Sequence, residues 1–154
     1  MLQIFKCSHQ FLVILCAVLF VSSHAQADVS ILQKLRFGEV IITNNNMLYS
    51  ISVNPDGSFG HAGSIIKITD PQPGIYQIDD LTPNALINVT ATQLQPLSGG
   101  GNFFTLKNFQ VVHSNSDASG LADITLGATA ETSGNSLAYD SRTYNGTIQL
   151  QISY

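Results

Sequence analysis

The sequence has few charged residues and no tryptophan. Six of its 154 residues are Lys or Arg and ten are Asp or Glu. Charged side chains therefore make up 10% of the chain, against about 25% in an average soluble domain. So few charges argue against a charge-rich disordered chain. The net charge of −4, without a Lys/Arg cluster, argues against a nucleic-acid partner, because nothing would neutralise the phosphates.

Long apolar runs are also scarce, and the longest covers residues 11–21. This run is too short to span a bilayer, which needs about 20 residues. It follows a short basic region, and the small residues Ala25 and Ala27 occupy the two positions that a signal peptidase reads. We therefore predict a signal peptide over residues 1–27, with cleavage before Asp28. The alternative is a buried N-terminal helix.

Both cysteines, Cys7 and Cys16, lie inside the predicted signal peptide. Their loss would exclude disulfide scaffolds, cysteine nucleophiles and thiolate metal sites. We predict that residues 28–154 form a single domain, held together by core burial alone and without a transmembrane segment. The expected location is the periplasm, the cell surface or the extracellular medium.

An alternation of apolar and polar residues with a period of two dominates this region, and no stretch keeps the apolar spacing of an amphipathic helix. Turn residues such as Pro55 and Gly57 separate the alternating segments. We predict strands over residues 29–37, 47–53, 64–68, 75–80, 86–92, 103–112, 121–130 and 144–154. Seven to eight short antiparallel strands with regular turns indicate an all-β sandwich or barrel.

The last segment is the clearest strand, and two placements are open for it. One of its faces carries Tyr144, Ile148, Leu150, Ile152 and Tyr154. The strand could lie in the middle of a sheet. It could instead lie at an edge and pair with a neighbouring subunit, because residues 145–154 contain no charge or proline that would protect an exposed edge.

No motif in the sequence specifies a reaction, a metal or a cofactor. His61 and His113 lack the neighbours of a zinc site and are interpreted as exposed loop residues. Asp79 and Asp80 are adjacent, so on a strand they would face opposite sides and could not act together on one substrate. The stretch starting at Asn115 lacks the carboxylate that closes a calcium loop and is interpreted as a turn. We predict no catalytic, cofactor-binding or metal-binding residues.

Four segments resemble the DUF4402 family of secreted bacterial domains, which is similar in style to spore coat U and chaperone–usher pilin-like proteins. They are residues 35–38, 53–58, 117–128 and 143–154. The residues that carry the resemblance are Phe37, Gly38, Gly120, Gly127 and Gly146. The resemblance implies an immunoglobulin-like β-sandwich in a cell-surface or fimbrium-like role, without catalytic residues. The segment before Phe37 is shorter than the N-terminal extension of donor-strand pilins.

The functional expectation is an exported, non-enzymatic structural or adhesion protein of the bacterial envelope or cell surface. Its expected partners are identical or related subunits, joined through strand edges. The alternative is a monomeric secreted module that binds a glycan or a protein. A hydrolase built on scattered carboxylates such as Asp79 and Asp123 ranks third. Asn88 and Asn145 also match the N-glycosylation pattern.

Overall fold

The computed structural model describes residues 27–99 and 101–153. Within these ranges the chain forms ten strands and no helix, and therefore no helix long and apolar enough to cross a membrane. The strands are β1 (Asp28–Gln33), β2 (Val40–Ile42), β3 (Ser50–Val53), β4 (Phe59–Ala62), β5 (Ile65–Lys67), β6 (Gly74–Asp79), β7 (Asn88–Ser98), β8 (Phe103–His113), β9 (Ala122–Glu131) and β10 (Asn145–Ser153).

The predicted all-β class is confirmed, but ten strands form where seven to eight were predicted. The additional strands are β2 and β4, of three and four residues. Neither shows a clear alternation, since β2 is Val-Ile-Ile and β4 contains a glycine and a histidine. Such short strands form because a partner strand is available, and the local pattern does not reveal the partner.

Eight strands form one antiparallel, curled sheet. Its main path runs β1-β6-β9-β8-β7-β10, with β3 paired to β9 and β4 paired to β3. The remaining two strands, β2 and β5, pair in a separate ribbon. The ladder between β7 and β8 covers two residue pairs, Leu97 with Phe104 and Ser98 with Phe103. Beyond them, the Gln93 side chain accepts a hydrogen bond from the Leu106 N–H, and β7 continues as the partner of β10.

The curled sheet packs its inner face against itself, as in a sandwich. The central strands β6 and β9 contribute the fully buried Ile78, Ile124 and Leu126. Val89 of β7 and the half-buried inner face of β10 pack against this cluster. A second cluster joins β3, β5, β8 and β9 through Ile51, Ile65, Phe104, Leu106 and Ala130. Alternation is strict in β6, where every second residue is buried.

The predicted turn after β3 forms a tight hairpin to β4. The Gly57 N–H donates to the Asn54 carbonyl (2.9 Å), and the Asn54 N–H donates to the Ser58 carbonyl (2.8 Å). Gly57 has φ +82°, as a three-residue hairpin loop with glycine in its left-handed position requires. The Asp56 carboxylate accepts hydrogen bonds from the Ser58 hydroxyl and N–H. These bonds hold the pKa of Asp56 below its usual value.

Candidate functional site

The first and last strands of the sheet path each have a free edge among the described residues. β1 pairs with β6 and β10 pairs with β7, and neither has a second partner strand. Of the two placements open for the C-terminal strand, the structure shows the edge. A free edge presents unpaired N–H and C=O groups that can template pairing with another chain.

The inward face of β1 is only partly covered by the described residues. Val29 pairs with Ile78 and Ile31 pairs with Tyr76, so all four side chains point to the same side of the sheet. Ile78 is 0% exposed and Tyr76 is 7% exposed. Val29 and Ile31, in contrast, are 37% and 58% exposed. The sandwich is therefore open along one side. We call this opening the seam: β1 and residues 34–42 lie on one side of it, and residues 139–145 and β10 lie on the other.

One part of the seam lies where β1 has ended and β10 has not yet begun. There it forms a groove of about 1100 Å³ between residues 34–42 and residues 139–145. The floor of the groove is apolar and consists of Ile51, Leu97, Phe104 and Ala130.

The wall formed by residues 139–145 is held by an aromatic cluster. The Tyr139 ring lies 4.6 Å from the Phe104 ring, and the Tyr144 ring meets Phe104 edge-on at 5.3 Å, between centroids. The Tyr139 hydroxyl donates to the Phe103 carbonyl (2.6 Å) and accepts from the Ser133 N–H (2.9 Å). These contacts fix the wall against the start of β8.

Polar contacts complete the same wall. The Tyr144 hydroxyl donates to the Asp140 carbonyl (3.2 Å). Burial raises the pKa of Tyr144 above its ordinary value. Arg142 forms an ion pair with the Asp140 carboxylate (2.9 Å) and donates to the Gly99 carbonyl (2.6 Å). Arg142 thereby ties the wall to the β7–β8 hairpin.

Two buried asparagines support the segment that leads into this wall. The Asn45 amide donates to the Leu137 carbonyl (2.9 Å), and its oxygen accepts from the Gly134 N–H (3.0 Å). The Asn102 amide donates to the Leu137 and Ala138 carbonyls (2.8 and 2.9 Å). Sequence reasoning missed both residues, because the chain is rich in asparagine and no local signal marks these two.

The opposite wall, residues 34–42, is fixed by a backbone bridge and by a glycine. Arg36 and Gln72 exchange two backbone hydrogen bonds of 2.9 and 2.8 Å. Gly38 has φ +75°, and a Cβ at this position would lie 2.3 Å from the Thr69 carbonyl oxygen. Phe37 packs against the second core cluster. The predicted Phe37-Gly38 pair therefore lies in a wall of the groove.

The other glycines of the family motif lie at backbone crossings. Gly120 has φ +80°, and its Cβ would lie 2.3 Å from the Leu81 carbonyl oxygen. Gly127 lies in β9 close to the Val53 carbonyl, and Gly146 is the second residue of β10. These three positions therefore contribute to the packing of the scaffold.

The remaining predicted residues are dispersed. In the C-terminal strand, Ile148, Leu150 and Ile152 face the core, half-buried, with Tyr144 just before them, and Tyr154 lies outside the described residues. Of the predicted cleavage residues, Ala25 lies outside them too, Ala27 precedes β1 and Asp28 begins it.

The interpretation of the histidines as loop residues is wrong. His61 lies in β4, one of the two additional strands, and His113 is the last residue of β8, one residue beyond the predicted strand. Over residues 27–99 and 101–153 there is no group of three or more His, Cys, Asp or Glu that could hold a metal ion. The stretch at Asn115 is a turn, in which the Asp117 carboxylate accepts from the N–H groups of Ser119 and Leu121.

Comparison with known sequences then identifies the family. The family described as Domain of unknown function (DUF4402) matches residues 27–154. The chain belongs to this family. The match contains all four segments on which the resemblance rested, and both walls of the groove. No curated protein and no solved structure matches the chain. The description of the DUF4402 family names no activity, so a functional proposal has to rest on the geometry of the seam.

Proposed function

We propose that this DUF4402 chain is an exported, non-enzymatic structural subunit of the bacterial envelope or cell surface, and that its copies join by adding a strand at the seam. The observation that carries the proposal is the exposure of Val29 and Ile31. Both belong to the inward face of the sandwich, and they lie beside a free edge. An added strand would cover them and pair with the edge at the same time.

The scarcity of charge and proline along the two edge strands supports the same proposal. Proteins usually protect exposed edge strands with lysine, proline, bulges or a short length. β10 has nine residues without a charge or a proline. Its register shifts are confined to residues 145–148, so the rest of the strand keeps a regular register. β1 has one charged residue, Asp28, at its start. β4, whose ladder partner is β3, is another edge strand, but it is four residues long and contains a glycine, so it offers far less backbone for pairing.

Features of the sequence support export. The apolar run at residues 11–21 and the small residues at positions 25 and 27 have the pattern of a signal peptide. The family match begins at residue 27, so the apolar run lies outside the family domain. Cleavage before Asp28 would leave β1 complete.

A lysine in the seam provides the test. We expect Ile31→Lys to weaken self-association at least about tenfold, because assembly would bury an unpaired charge. In the monomer the same change should alter the free energy of unfolding by about 0.5 kcal/mol or less, because the side chain is exposed. Sedimentation velocity over a range of protein concentrations measures the association, and thermal unfolding followed by circular dichroism measures the stability.

Val112→Lys is the matched control. Val112 is 59% exposed, close to the 58% of Ile31, but it lies on β8, where it pairs with Thr125 of β9, and belongs to neither strand of the seam. We expect this variant to associate like the unmodified chain. Equal association of the two variants would overturn the role of the seam. An unmodified chain that stays monomeric at every concentration would overturn assembly itself and favour the monomeric binding module.

A further inference from the structure

The charged residues are distributed unevenly between the two ends of β1. Three ion pairs form within the described residues. They are Lys67–Asp70, Lys107–Glu131 and Arg142–Asp140. The other two cations in these ranges, Lys34 and Arg36, take part in no ion pair there. Both are exposed and both line the groove, and we call them the basic rim. Glu39 also lines the groove and is the one carboxylate there outside these ion pairs.

The opposite end of the sheet is acidic. Asp28 of β1 and Asp79 of β6 are direct cross-strand partners. Asp123 of β9 is the partner of Gln77, which lies two residues from Asp79 in β6 and therefore on the same face. The three carboxylates thus share one outward face of the sheet. Asp80 lies in the loop after β6, and Asp117 lies in the loop before β9. A hydrogen bond from the Leu81 N–H to the Gly120 carbonyl (3.1 Å) joins the two loops. We call these five carboxylates the acidic end. None of them forms an ion pair within the described residues.

The two ends cannot neutralise each other within one copy. Asp28 and Lys34 are six residues apart along an extended strand, which corresponds to about 20 Å. This separation exceeds the Debye length of about 8 Å at physiological salt. The cross-strand pair of Asp28 and Asp79 also places like charges opposite each other, which destabilises a sheet. A cation supplied by another molecule would relieve this repulsion.

We infer that the partner at the seam is a second copy of this chain, docked head to tail with its acidic end against the basic rim. The inference rests on the proposed assembly and adds the orientation in which the copies dock. A head-to-tail contact uses two different surfaces of each copy, so every added copy presents a new basic rim or a new acidic end. Unless its rotation closes a ring, such a contact produces an open chain of subunits.

Neutralising the basic rim tests this orientation. We expect Lys34→Gln combined with Arg36→Gln to weaken self-association at least about tenfold at low salt. The difference from the unmodified chain should shrink as salt rises from about 0.05 M to about 0.5 M, because screening removes the charge contribution. The matched control is Lys67→Gln combined with Lys107→Gln, which removes the same charge from cations already paired in the molecule. We expect this control to associate like the unmodified chain.

A charge swap makes the test reciprocal. One variant carries Lys34→Glu and Arg36→Glu, and the other carries Asp79→Lys and Asp123→Lys. Each should associate poorly alone, and their mixture should form complexes containing both. If both glutamine variants associate like the unmodified chain and the mixture gains nothing, the head-to-tail inference is overturned while assembly at the seam stands. If the unmodified chain does not associate at all, both proposals fail.

Discussion

Replacing Gly38 with alanine should lower the free energy of unfolding by about 3 kcal/mol or more, a large effect for a single methyl group. Two costs combine at this position. The φ of +75° strains any residue with a Cβ, at about 1–2 kcal/mol. In addition, the new Cβ would lie 2.3 Å from the Thr69 carbonyl oxygen, so the backbone of one groove wall has to move. Urea unfolding measures the loss.

Gly57 separates these two costs. Its φ of +82° resembles that of Gly38, but a Cβ there would meet nothing within 4 Å. Gly57→Ala should therefore cost about 1 kcal/mol, from backbone strain alone. Equal losses in the two variants would show that residues 34–42 do not approach Thr69 as closely as the structure has them. The shape of the groove would then be wrong.

Replacing Asn45 with alanine should cost about 3 kcal/mol. The Asn45 side chain is buried, and its amide nitrogen lies within hydrogen-bonding distance of Ser133, Asn135 and the Leu137 carbonyl. Its oxygen accepts from the Gly134 N–H. Alanine would remove these bonds and leave buried polar groups without partners, each at a cost of about 1–3 kcal/mol before relaxation. The segment leading to the Tyr139–Asn145 wall should loosen with them.

Asn44 provides a neighbouring control. Its side chain is exposed and accepts one bond, from the Asn46 N–H (2.9 Å). Asn44→Ala should change the free energy of unfolding by about 0.5 kcal/mol. A loss at Asn45 no greater than the loss at Asn44 would contradict the buried network, and with it the rigid groove wall.

The sequence predicts the strands that bury one face over several residues. β6 alternates over its whole length and β10 alternates from Ile148 onward, so their inward faces can be identified without a structure. The ribbon of β2 and β5 is different, because its three-residue strands depend on each other for pairing. The sequence predicts one continuous strand over residues 29–37. The structure ends β1 at Gln33, after a register shift between Ile31 and Gln33, and backbone pairing resumes only as the single bridge between Arg36 and Gln72.

The candidate site is less predictable than the strands, since it depends on which strand edges have no partner strand. The pattern of β10 identifies its apolar face but cannot tell a central strand from an edge. The exposure of Ile31 is a property of the whole sandwich, because the residue alternates like a buried one. Asn45 gives no signal either, since it is the middle residue of three consecutive asparagines. The walls of the groove are therefore visible only in three dimensions.

Amide hydrogen exchange at two protein concentrations, below and above the onset of association, tests the central claim most directly. Assembly at the seam predicts that exchange slows on association in β1 and β10, whose free edges gain partners. The edge strand β4 should exchange at the same rate at both concentrations. Slower exchange in β4, with β1 and β10 unchanged, would contradict assembly at the seam.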